Sequence, residues 1–386
     1  RFVLNQIVGA SALNTITING NNNLLTWDGT ISDQRATVLL NGTDYISINN
    51  LKIESRNLTQ AHGIQFISGA DYNNITNCEV MVNKTVTTSL VAGIVMSASL
   101  TSSTTAGNTG NYNTITNTKI TGGYYGATVM GTSTTVYGQS NKFIGCTLED
   151  FYLYGIYFAN QEDAQFSGNN INRQTRSSSS LSTFYGIYFF GTNPGTIINA
   201  NRVHDNFTQD PTFTGSTYCI YSSSGIGTAA KPMRIQNNGI YNIKGNGLVY
   251  AIYLASTTYA QVYHNTILLD NAAQTGTSSI AGIYHTAVGT GCDIKNNIIR
   301  INNGSTGTKY LLYFSNTAPV ITSDNNNLSY GIAGGITVTA RRGTTNSNTL
   351  MDWQMSNANF YDQASTDADP LLANPSGGNL APTSGA

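Results

Sequence analysis

The 386-residue sequence predicts an all-β solenoid in which short coils stack on one another. First, a YGIYF stretch occurs at 154–158 and 185–189 and recurs in looser form along the chain. Second, the apolar residue at its centre returns about every 31 residues, a period typical of solenoid repeats. Third, only 10% of the residues are charged, so Asn, Thr, Ser, Gly and Tyr must supply most of the polar surface. The length exceeds one usual compact core, which also favours a repeat.

The first strand of each coil is marked by that central apolar residue. It lies in a short β-branched and aromatic run without the 3.6-residue period of a helix. If Ile156 points inward, strand alternation turns Tyr157 outward and Phe158 inward. The marker residues are Ile64, Ile94, Val129, Ile156, Ile187, Ile220, Ile252, Ile283 and Leu312.

A second motif in each coil predicts two further strands joined by a turn. An apolar residue is followed three and five positions later by further inward candidates, with Asn and Gly supplying the turn between them. Three short strands per coil suit parallel sheets in a stack of about ten coils. Copies of this motif lie at 48–53, 75–80, 115–120, 143–148, 166–171, 198–203, 235–240, 262–267 and 294–299.

Stacking turns the third position after the motif's first residue into a column beside an inward-facing turn. Asparagines at one-coil spacing can donate each NH₂ to the next carbonyl, which predicts an internal Asn ladder. Asn238 would lie in its middle and Asn297 at its end, so loss of Asn238 should cost more stability. Cys78 and Cys146 fall two coils apart, about 9–10 Å, so both should be buried free thiols. The column reads Leu51, Cys78, Thr118, Cys146, Asn169, Asn201, Asn238, Asn265 and Asn297.

The combination of GIYF with N-x-I-x-N-N-x-I resembles the repeat of right-handed parallel β-helix proteins of the pectin-lyase-like type. It is most similar to the Asn-, Thr- and Gly-rich versions in large secreted or surface proteins of Bacteroidetes-type bacteria. The resemblance covers about residues 13–330 and implies a right-handed parallel β-helix over 1–335. Residues 336–386 resemble the closing segment of such proteins, with a short helix near 349–356 and a truncated end. This architecture hosts lyases, hydrolases, adhesins and passive stalks, so it implies no single function.

The outward position of the first strand is the candidate binding site, because six successive coils place tyrosine there. A weakly charged row of tyrosines can offer rings and hydroxyls to sugars, or form a protein contact surface. Alternatively, the tyrosines only stabilise the stack, by about 0.2–1 kcal/mol per pair, or lie under loops. The six are Tyr157, Tyr188, Tyr221, Tyr253, Tyr284 and Tyr313. The direction stays open for the residues two before the inward one: Tyr154, Tyr185, Tyr218, Tyr250, Ala281 and Tyr310.

Residues that could carry catalysis are few. Hydrolysis would need paired carboxylates, and polysaccharide elimination a calcium-binding acid cluster with a Lys, Arg or His base. The acidic candidates are Glu149 with Asp150, Glu162 with Asp163, Asp205 and Asp210. The basic candidates are Arg173, Arg176, Arg202, His204, Lys231 and Arg234. His285 is expected in the core, whereas His62 and His264 stand alone. The sequence lacks the signatures of pectate lyases and polygalacturonases, and it predicts no cofactor or metal site.

These observations favour a non-catalytic structural or adhesive β-helix, secreted or at the cell surface. Its expected partners are extracellular polysaccharide or neighbouring copies of itself in a filament. A net charge of −1 without a basic stripe argues against nucleic acid, and no apolar run reaches the length of a membrane span. The alternative is a polysaccharide lyase or glycoside hydrolase. Ice binding through threonine arrays is a third and weaker option, because the threonine runs resemble loops.

Overall fold

The computed structural model describes residues 1–286, 290–317, 321–331, 334–358 and 360–383. It confirms the predicted fold class, an all-β parallel solenoid, with about 11 turns instead of about ten. Each turn contributes three strands, called A, B and C in chain order. The chain forms two compact units, which are described separately. Unit 1 comprises Arg1–Leu181 and Ile187–Ile197, and unit 2 comprises Ser182–Gly186 and Ile198–Ala386.

The A strands contain the YGIYF-type stretches, and the B and C strands come from the second motif. The A strands are Phe2–Asn5, Ala36–Asn41, Ala61–Ile67, Val91–Met96, Tyr125–Met130, Tyr154–Ala159, Phe184–Phe190, Thr217–Ser222, Val249–Ala255, Ile280–Thr286, Lys309–Phe314 and Thr337–Arg342. The B strands are Ile16–Asn19, Ile46–Asn49, Asn74–Thr76, Thr114–Thr116, Lys142–Ile144, Gln165–Ser167, Ile197–Asn199, Met233–Gln236, Ala260–Tyr263, Cys292–Lys295 and Ile321–Asp324. The C strands are Leu24–Trp27, Lys52–Ser55, Glu79–Val82, Lys119–Thr121, Thr147–Glu149, Asn170–Asn172, Arg202–His204, Gly239–Tyr241, Thr266–Leu269, Ile298–Ile301 and Asn327–Tyr330.

A few elements lie outside this pattern. The pairs Gly138–Gln139 with Gln161–Glu162 and Leu372–Asn374 with Asn379–Pro382 form small ribbons. Short 3-10 turns occupy Ser32–Gln34, Ser178–Ser180, Ser356–Ala358 and Pro375–Gly377. The strand Thr345–Ser347 pairs antiparallel with the last A strand, which itself pairs in parallel with the A strand before it. The division of the chain at residue 335 stays a prediction.

Alternation along the strands fills the interior, as predicted. Ile156 and Phe158 are fully buried, whereas Tyr157 between them is half-buried on the outer side. The Phe158 ring stacks on Phe166 at 4.3 Å and on Phe189 at 4.9 Å between ring centroids, all within unit 1. The core of this unit therefore contains an aromatic cluster, in which Phe158 and Phe189 of successive A strands lie one above the other.

The A strands depart from strict alternation at one position, just before the inward marker residue. Both that position and the marker are buried in the strand Tyr154–Ala159. At Gly63, which holds the same position, an added Cβ would lie 2.2 Å from Val80 Cγ1 of the C strand. The position therefore points inward. The preceding residue then lies outward beside the tyrosine column, which settles the direction of Tyr154: its ring lies 5.0 Å from that of Tyr157.

Unit 2 contains the predicted Asn ladder. The Nδ2 of each asparagine donates to the Oδ1 of the next. The distances are 2.9 Å for Asn201 to Asn238, 2.9 Å for Asn238 to Asn265, 3.0 Å for Asn265 to Asn297, and 3.0 Å for Asn297 to Asn326. Each Oδ1 also accepts the backbone N–H of the preceding member. The ladder therefore satisfies side-chain and backbone groups at a buried corner.

The sequence led us to expect that the ladder ends at Asn297, but the ladder extends further. Asn326 continues it, and its Nδ2 donates to the carboxylate of Asp362 at 2.9 Å. That fully buried carboxylate also accepts from Ser365 Oγ at 2.6 Å, Ser323 Oγ at 2.6 Å and Trp353 Nε1 at 2.7 Å. Four donors thus surround an acceptor-only group, which closes a chain of amides whose donors all point toward it.

A second amide ladder occupies another corner in unit 1, and the sequence motifs did not indicate it. Asn73 Nδ2 donates to Asn113 Oδ1 at 3.1 Å, and Asn113 Nδ2 to Asn141 Oδ1 at 3.3 Å. Asn141 Nδ2 then donates to Gln161 Oε1 at 3.1 Å. All four side chains are fully buried. This corner precedes the B strands, whereas the predicted motif marks only the corner between B and C strands.

The cysteines are free and buried, which confirms the prediction for Cys78 and Cys146. In unit 1 both lie in the column that becomes asparagine further on. The Cys146 backbone N–H donates to Asn169 Oδ1 at 2.9 Å, and that of Cys78 to Thr118 Oγ1 at 3.4 Å. Burial raises the pKa of the Cys146 thiol to about 11, so the thiol stays neutral at physiological pH.

One short helix, Leu350–Met355, lies where the sequence predicts it. Thr349 caps it: its side chain accepts from the Asp352 N–H, and the Asp352 carboxylate accepts from the Thr349 N–H. Trp353 is buried and stacks on Tyr361 at 4.6 Å and on Phe314 at 6.0 Å. The helix therefore anchors a large apolar ring over the last described turn of unit 2. Among the described residues, no helix is long and apolar enough to cross a membrane.

The complete ladder changes the expected effect of its mutations. Asn238 and Asn297 make equivalent bonds, so alanine at either position should destabilise the protein to a similar extent. Each variant leaves several buried groups without a partner, at about 1–3 kcal/mol per group. We expect both to lower the midpoint of urea unfolding well below that of Gln261→Ala, a half-buried residue on a neighbouring B strand. An Asn238→Ala midpoint equal to that of Gln261→Ala would contradict the ladder.

Candidate functional site

Four of the six predicted tyrosines form a stacked column in unit 2. The ring centroids of Tyr221 and Tyr253 lie 4.5 Å apart, those of Tyr253 and Tyr284 4.8 Å, and those of Tyr284 and Tyr313 4.3 Å. Their ring planes differ by 14°, 6° and 18°. The A strands impose this spacing, because the four residues are direct register partners in parallel pairs. All four rings are half-buried.

The stacking determines which part of each tyrosine a ligand can reach. Within the column the faces of neighbouring rings are turned toward each other at a single-turn distance. The outward-facing parts are therefore the ring edges and the phenol hydroxyls, which repeat once per turn. This differs from the sequence-based expectation of a platform that offers its ring faces to sugars. The column presents a row of groups that can each donate and accept a hydrogen bond.

An arginine closes one end of this column. Arg341 is the register partner of Tyr313 on the last A strand, and its guanidinium lies 5.2 Å from the Tyr313 ring centroid. Its Nη1 donates to Tyr310 Oη at 3.3 Å, and its Nε donates to the Gly343 carbonyl at 3.0 Å. A cation therefore covers the last ring face and adds positive charge to a weakly charged surface.

Two of the predicted tyrosines lie in unit 1, where their rings stack on each other. The Tyr157 and Tyr188 rings stack at 5.0 Å and 9°. Tyr154 and Tyr125 stack on each other at 5.3 Å and meet Tyr157 edge-on. Burial raises the pKa of Tyr157 to about 12, so its phenol stays neutral.

Earlier turns of unit 1 carry the same outward position beneath a loop. Gln65 is fully buried there, and its Nε2 donates to the Ser99 carbonyl at 2.7 Å. His62 is also fully buried: Nδ1 lies 3.0 Å from Gln65 Oε1, and Nε2 lies 3.1 Å from Ser103 Oγ. The loop after the strand Val91–Met96 thus covers this stretch, whereas the tyrosines further along are half-buried at the surface.

The acidic candidates of unit 1 are bound to polar neighbours. Glu149 accepts from Lys119 Nζ at 2.8 Å, and Glu162 accepts from Gln139 Nε2 at 2.8 Å. Asp150 is buried and accepts the backbone N–H of Thr175 at 2.8 Å. These bonds hold strand ends and loops together. They give Glu149, Glu162 and Asp150 a structural role.

The basic group predicted from the sequence falls into two parts with different surroundings. Arg173 and Arg176 are fully buried in unit 1. Arg176 donates to three carbonyls, those of Ser180 at 2.7 Å, Asp150 at 2.9 Å and Val86 at 2.7 Å. Burial lowers the pKa of Arg176 to about 10. Both arginines therefore hold loops against the stack, because buried carbonyls need donors.

The other part lies on the C strands of unit 2. His204 Nδ1 lies 2.6 Å from Asp205 Oδ2, and the His204 ring stacks on Tyr241 at 4.8 Å. The exposed Arg202 makes a side-chain hydrogen bond with Tyr241. Arg202 and the hairpin residues Gly378–Ala381 also line a cleft of about 240 Å³. His204 and Tyr241 are only 9% and 5% exposed, so these two side chains are largely covered from solvent. Two other basic candidates, Lys231 and Arg234, are exposed in or just before the next B strand, Met233–Gln236.

The remaining histidines and potential metal ligands carry no site of their own. His285 is fully buried, as predicted, and its Nε2 lies 3.5 Å from Cys292 Sγ. His264 is exposed at a turn. Within the described ranges, no group of three or more His, Cys, Asp or Glu side chains could hold a metal ion.

The sequence reading missed a second tyrosine stack, in unit 1. Tyr45, Tyr72 and Tyr112 stack at 4.9 and 4.8 Å with planes within 2°. All three have a left-handed backbone, with φ between 56° and 59°, a conformation that bulky residues rarely adopt. Their recurrence at turn positions was the available signal, but they lie outside the YGIYF-type stretches on which the column was built.

The buried His62 makes stability depend on pH. Burial lowers its pKa to about 3, whereas an unfolded histidine titrates near about 6.5. Between these values the unfolded chain binds a proton that the folded chain excludes. The free energy of unfolding should therefore fall as pH drops through this window, by at most about 1.4 kcal/mol per pH unit. Urea unfolding at several pH values should show a shallower fall for His62→Gln. The exposed-site control His264→Gln should retain the wild-type slope, and equal slopes for wild type and His62→Gln would contradict the assignment.

Comparison with known proteins supports the fold and goes no further. No protein-family model matches the chain, and no curated protein matches it. Among solved structures, the periplasmic alginate epimerase AlgG superposes with a TM-score of 0.52 at 11% identity, over 88% of this chain and 75% of its own. The Dettilon tailspike protein (gp208) gives a TM-score of 0.52 at 18% identity, over 87% of this chain and 61% of its own. At such identities the similarity shows a parallel β-helix fold alone.

Proposed function

We propose that this chain is a non-catalytic structural or adhesive β-helix, secreted or at the cell surface, that binds carbohydrate through the tyrosine column of unit 2. The observation that carries the proposal is the row of phenol hydroxyls, repeated at ring spacings of 4.3–4.8 Å, on a half-buried strand face. A ligand with regularly repeated hydroxyl groups can engage several of these phenols at once. Such repeated contacts add up to useful affinity even when each one is weak.

The chemistry of the column suits a hydroxyl-rich chain better than a charged polymer. Tyr221, Tyr253, Tyr284 and Tyr313 are neutral side chains that pair a polar tip with an apolar ring edge. The low content of charged residues, 10%, extends this character to the whole surface. Extracellular polysaccharide is the class of molecule that presents many hydroxyls at a regular spacing. Alginate, which the name of AlgG mentions, is one example from a protein of the same fold.

Assembly with neighbouring copies is the second part of the proposal. Unpaired sheet edges are a known route to association between chains. In unit 2 the last turn is covered by Thr345–Ser347, by the helix Leu350–Met355 and by Thr366, which bridges Asn327. Association through this end would have to displace these elements. Filament formation is therefore secondary to carbohydrate binding in this proposal. The same holds for an origin among the Asn-rich surface proteins that the repeat resembles.

Removal of the hydroxyls without the rings tests the carbohydrate-binding proposal. The triple variant Tyr221→Phe, Tyr253→Phe, Tyr284→Phe keeps the stack and should unfold at nearly the wild-type midpoint. We expect its affinity for a bound polysaccharide to fall about tenfold or more, because several hydrogen bonds are lost together. Affinity electrophoresis against neutral and acidic polysaccharides measures this effect.

A matched control is available in unit 1. The triple variant Tyr45→Phe, Tyr72→Phe, Tyr112→Phe removes three hydroxyls from an equally regular stack elsewhere. It should bind as the wild type does. If no polysaccharide in the panel binds the wild type, or if both triple variants bind like it, the column of unit 2 is not a carbohydrate site.

A polysaccharide lyase or hydrolase is the second candidate function, and one cluster favours it. His204 with Asp205 has the form of a base oriented by a carboxylate, and Tyr241 and Arg202 lie beside it. The burial of His204 and Tyr241 argues against it, and the hairpin Leu372–Pro382 lies against Tyr241, since a Cβ built on Gly378 would be 2.7 Å from the Tyr241 hydroxyl.

Product release distinguishes the two functions. Under the preferred proposal, prolonged incubation with the polysaccharide panel yields neither unsaturated products nor new reducing ends. Products from the wild type that disappear with His204→Ala, while a His264→Ala control remains active, would establish the enzyme instead. His264 is a suitable control because it is exposed and lies in no such cluster.

A further inference from the structure

One tyrosine beside the column of unit 2 is oriented differently from its neighbours. The Tyr250 ring is inclined by 72° to Tyr218, by 78° to Tyr253 and by 74° to Tyr284. In contrast, the stacked rings of the column differ from each other by at most 18°. A ring at right angles to the stack does not share its two faces with the rings above and below it.

The turn that follows Tyr250 lacks a ring at the equivalent position. Ala281 is the register partner of Tyr250 on the following A strand, at a position that is tyrosine in other turns. Although Ala281 points outward, it is completely buried, and Tyr250 packs against it. The hydroxyl of Tyr250 makes a side-chain hydrogen bond with Ser279. The ring therefore lies down over Ala281 and is held at its tip.

We propose that Tyr250 is the stacking seat for one sugar ring of the polysaccharide, flanked by the phenols of the column. The half-buried ring packs against the buried cluster that contains Ala281, and under this proposal the ligand contacts the solvent-exposed part of the ring. An aromatic face in this position accepts the apolar C–H face of a pyranose, while the hydroxyls of Tyr253 and Tyr284 can bond to that sugar's rim. This inference rests on the proposed function and assigns the contact that the stacked rings cannot make.

Three variants of the full chain test the seat by titration with neutral, acidic and amino polysaccharides. Tyr250→Ala removes the ring and should lower affinity about tenfold, whereas Tyr250→Phe keeps the face and should lose less than about threefold. Ala281→Tyr places a second large ring against Tyr250 and should also lower affinity about tenfold, measured at a temperature at which circular dichroism shows the variant to be folded. The opposite result for Ala281→Tyr, full binding, would overturn the seat.

The controls separate failure of the seat from failure of the proposed function. If Tyr250→Ala binds like the wild type while the Phe triple variant of the column does not, the column binds carbohydrate and the seat is wrong. If the wild type binds none of the polysaccharides, both are wrong.

Discussion

Hydrogen bonding between the backbones of successive turns is the constraint on which the rest of this structure depends. Parallel strands place each residue about 4.8 Å from its equivalent in the next turn. Each side chain therefore packs against the equivalent side chains of the turns before and after it. The groups in one column must be able to pack against, or hydrogen-bond to, one another. Amides and aromatic rings meet this condition, because an amide both donates and accepts and rings can stack. Like charges in one column repel each other, which favours neutral polar residues, and only 10% of the residues carry charge.

The end of the Asn ladder at Asn326 shows that such a column has a direction. Each Nδ2 of the ladder in unit 2 donates toward the next turn. The Nδ2 of the last asparagine, Asn326, therefore needs an acceptor from outside the ladder. Asp362 fits that position because an ionised carboxylate only accepts, and its oxygens receive four donors. The residue arrives from the segment beyond the last turn, close to Trp353. The same residue, Asp362, thus ends the Asn ladder and binds Trp353, which covers the last described turn.

The sequence was sufficient for whatever one turn repeats in the next. The fold class, the Asn column from Asn201 to Asn297 and the outward direction of Tyr157 all follow from period and alternation. Asn326 was missed because Ser323 stands where the motif has an apolar residue, and the direction of Tyr154 stayed open because Gly155 breaks alternation. The loop over Gln65 and the orientation of the tyrosine rings depend on contacts between turns. No single repeat contains that information.

Regularity also limits what a repeated surface can bind. A ring stacked on both sides has satisfied both faces, so Tyr253 and Tyr284 offer only edges and hydroxyls to a partner. Free faces arise where the repeat is interrupted, either at an end or at a missing ring. Arg341 covers the ring of Tyr313 at one end, and Ala281, which replaces a tyrosine in the turn after Tyr250, is an interruption within the repeat. In a solenoid of this kind, the repeat supplies stability and register, while specificity is expected at the positions where the repeat fails.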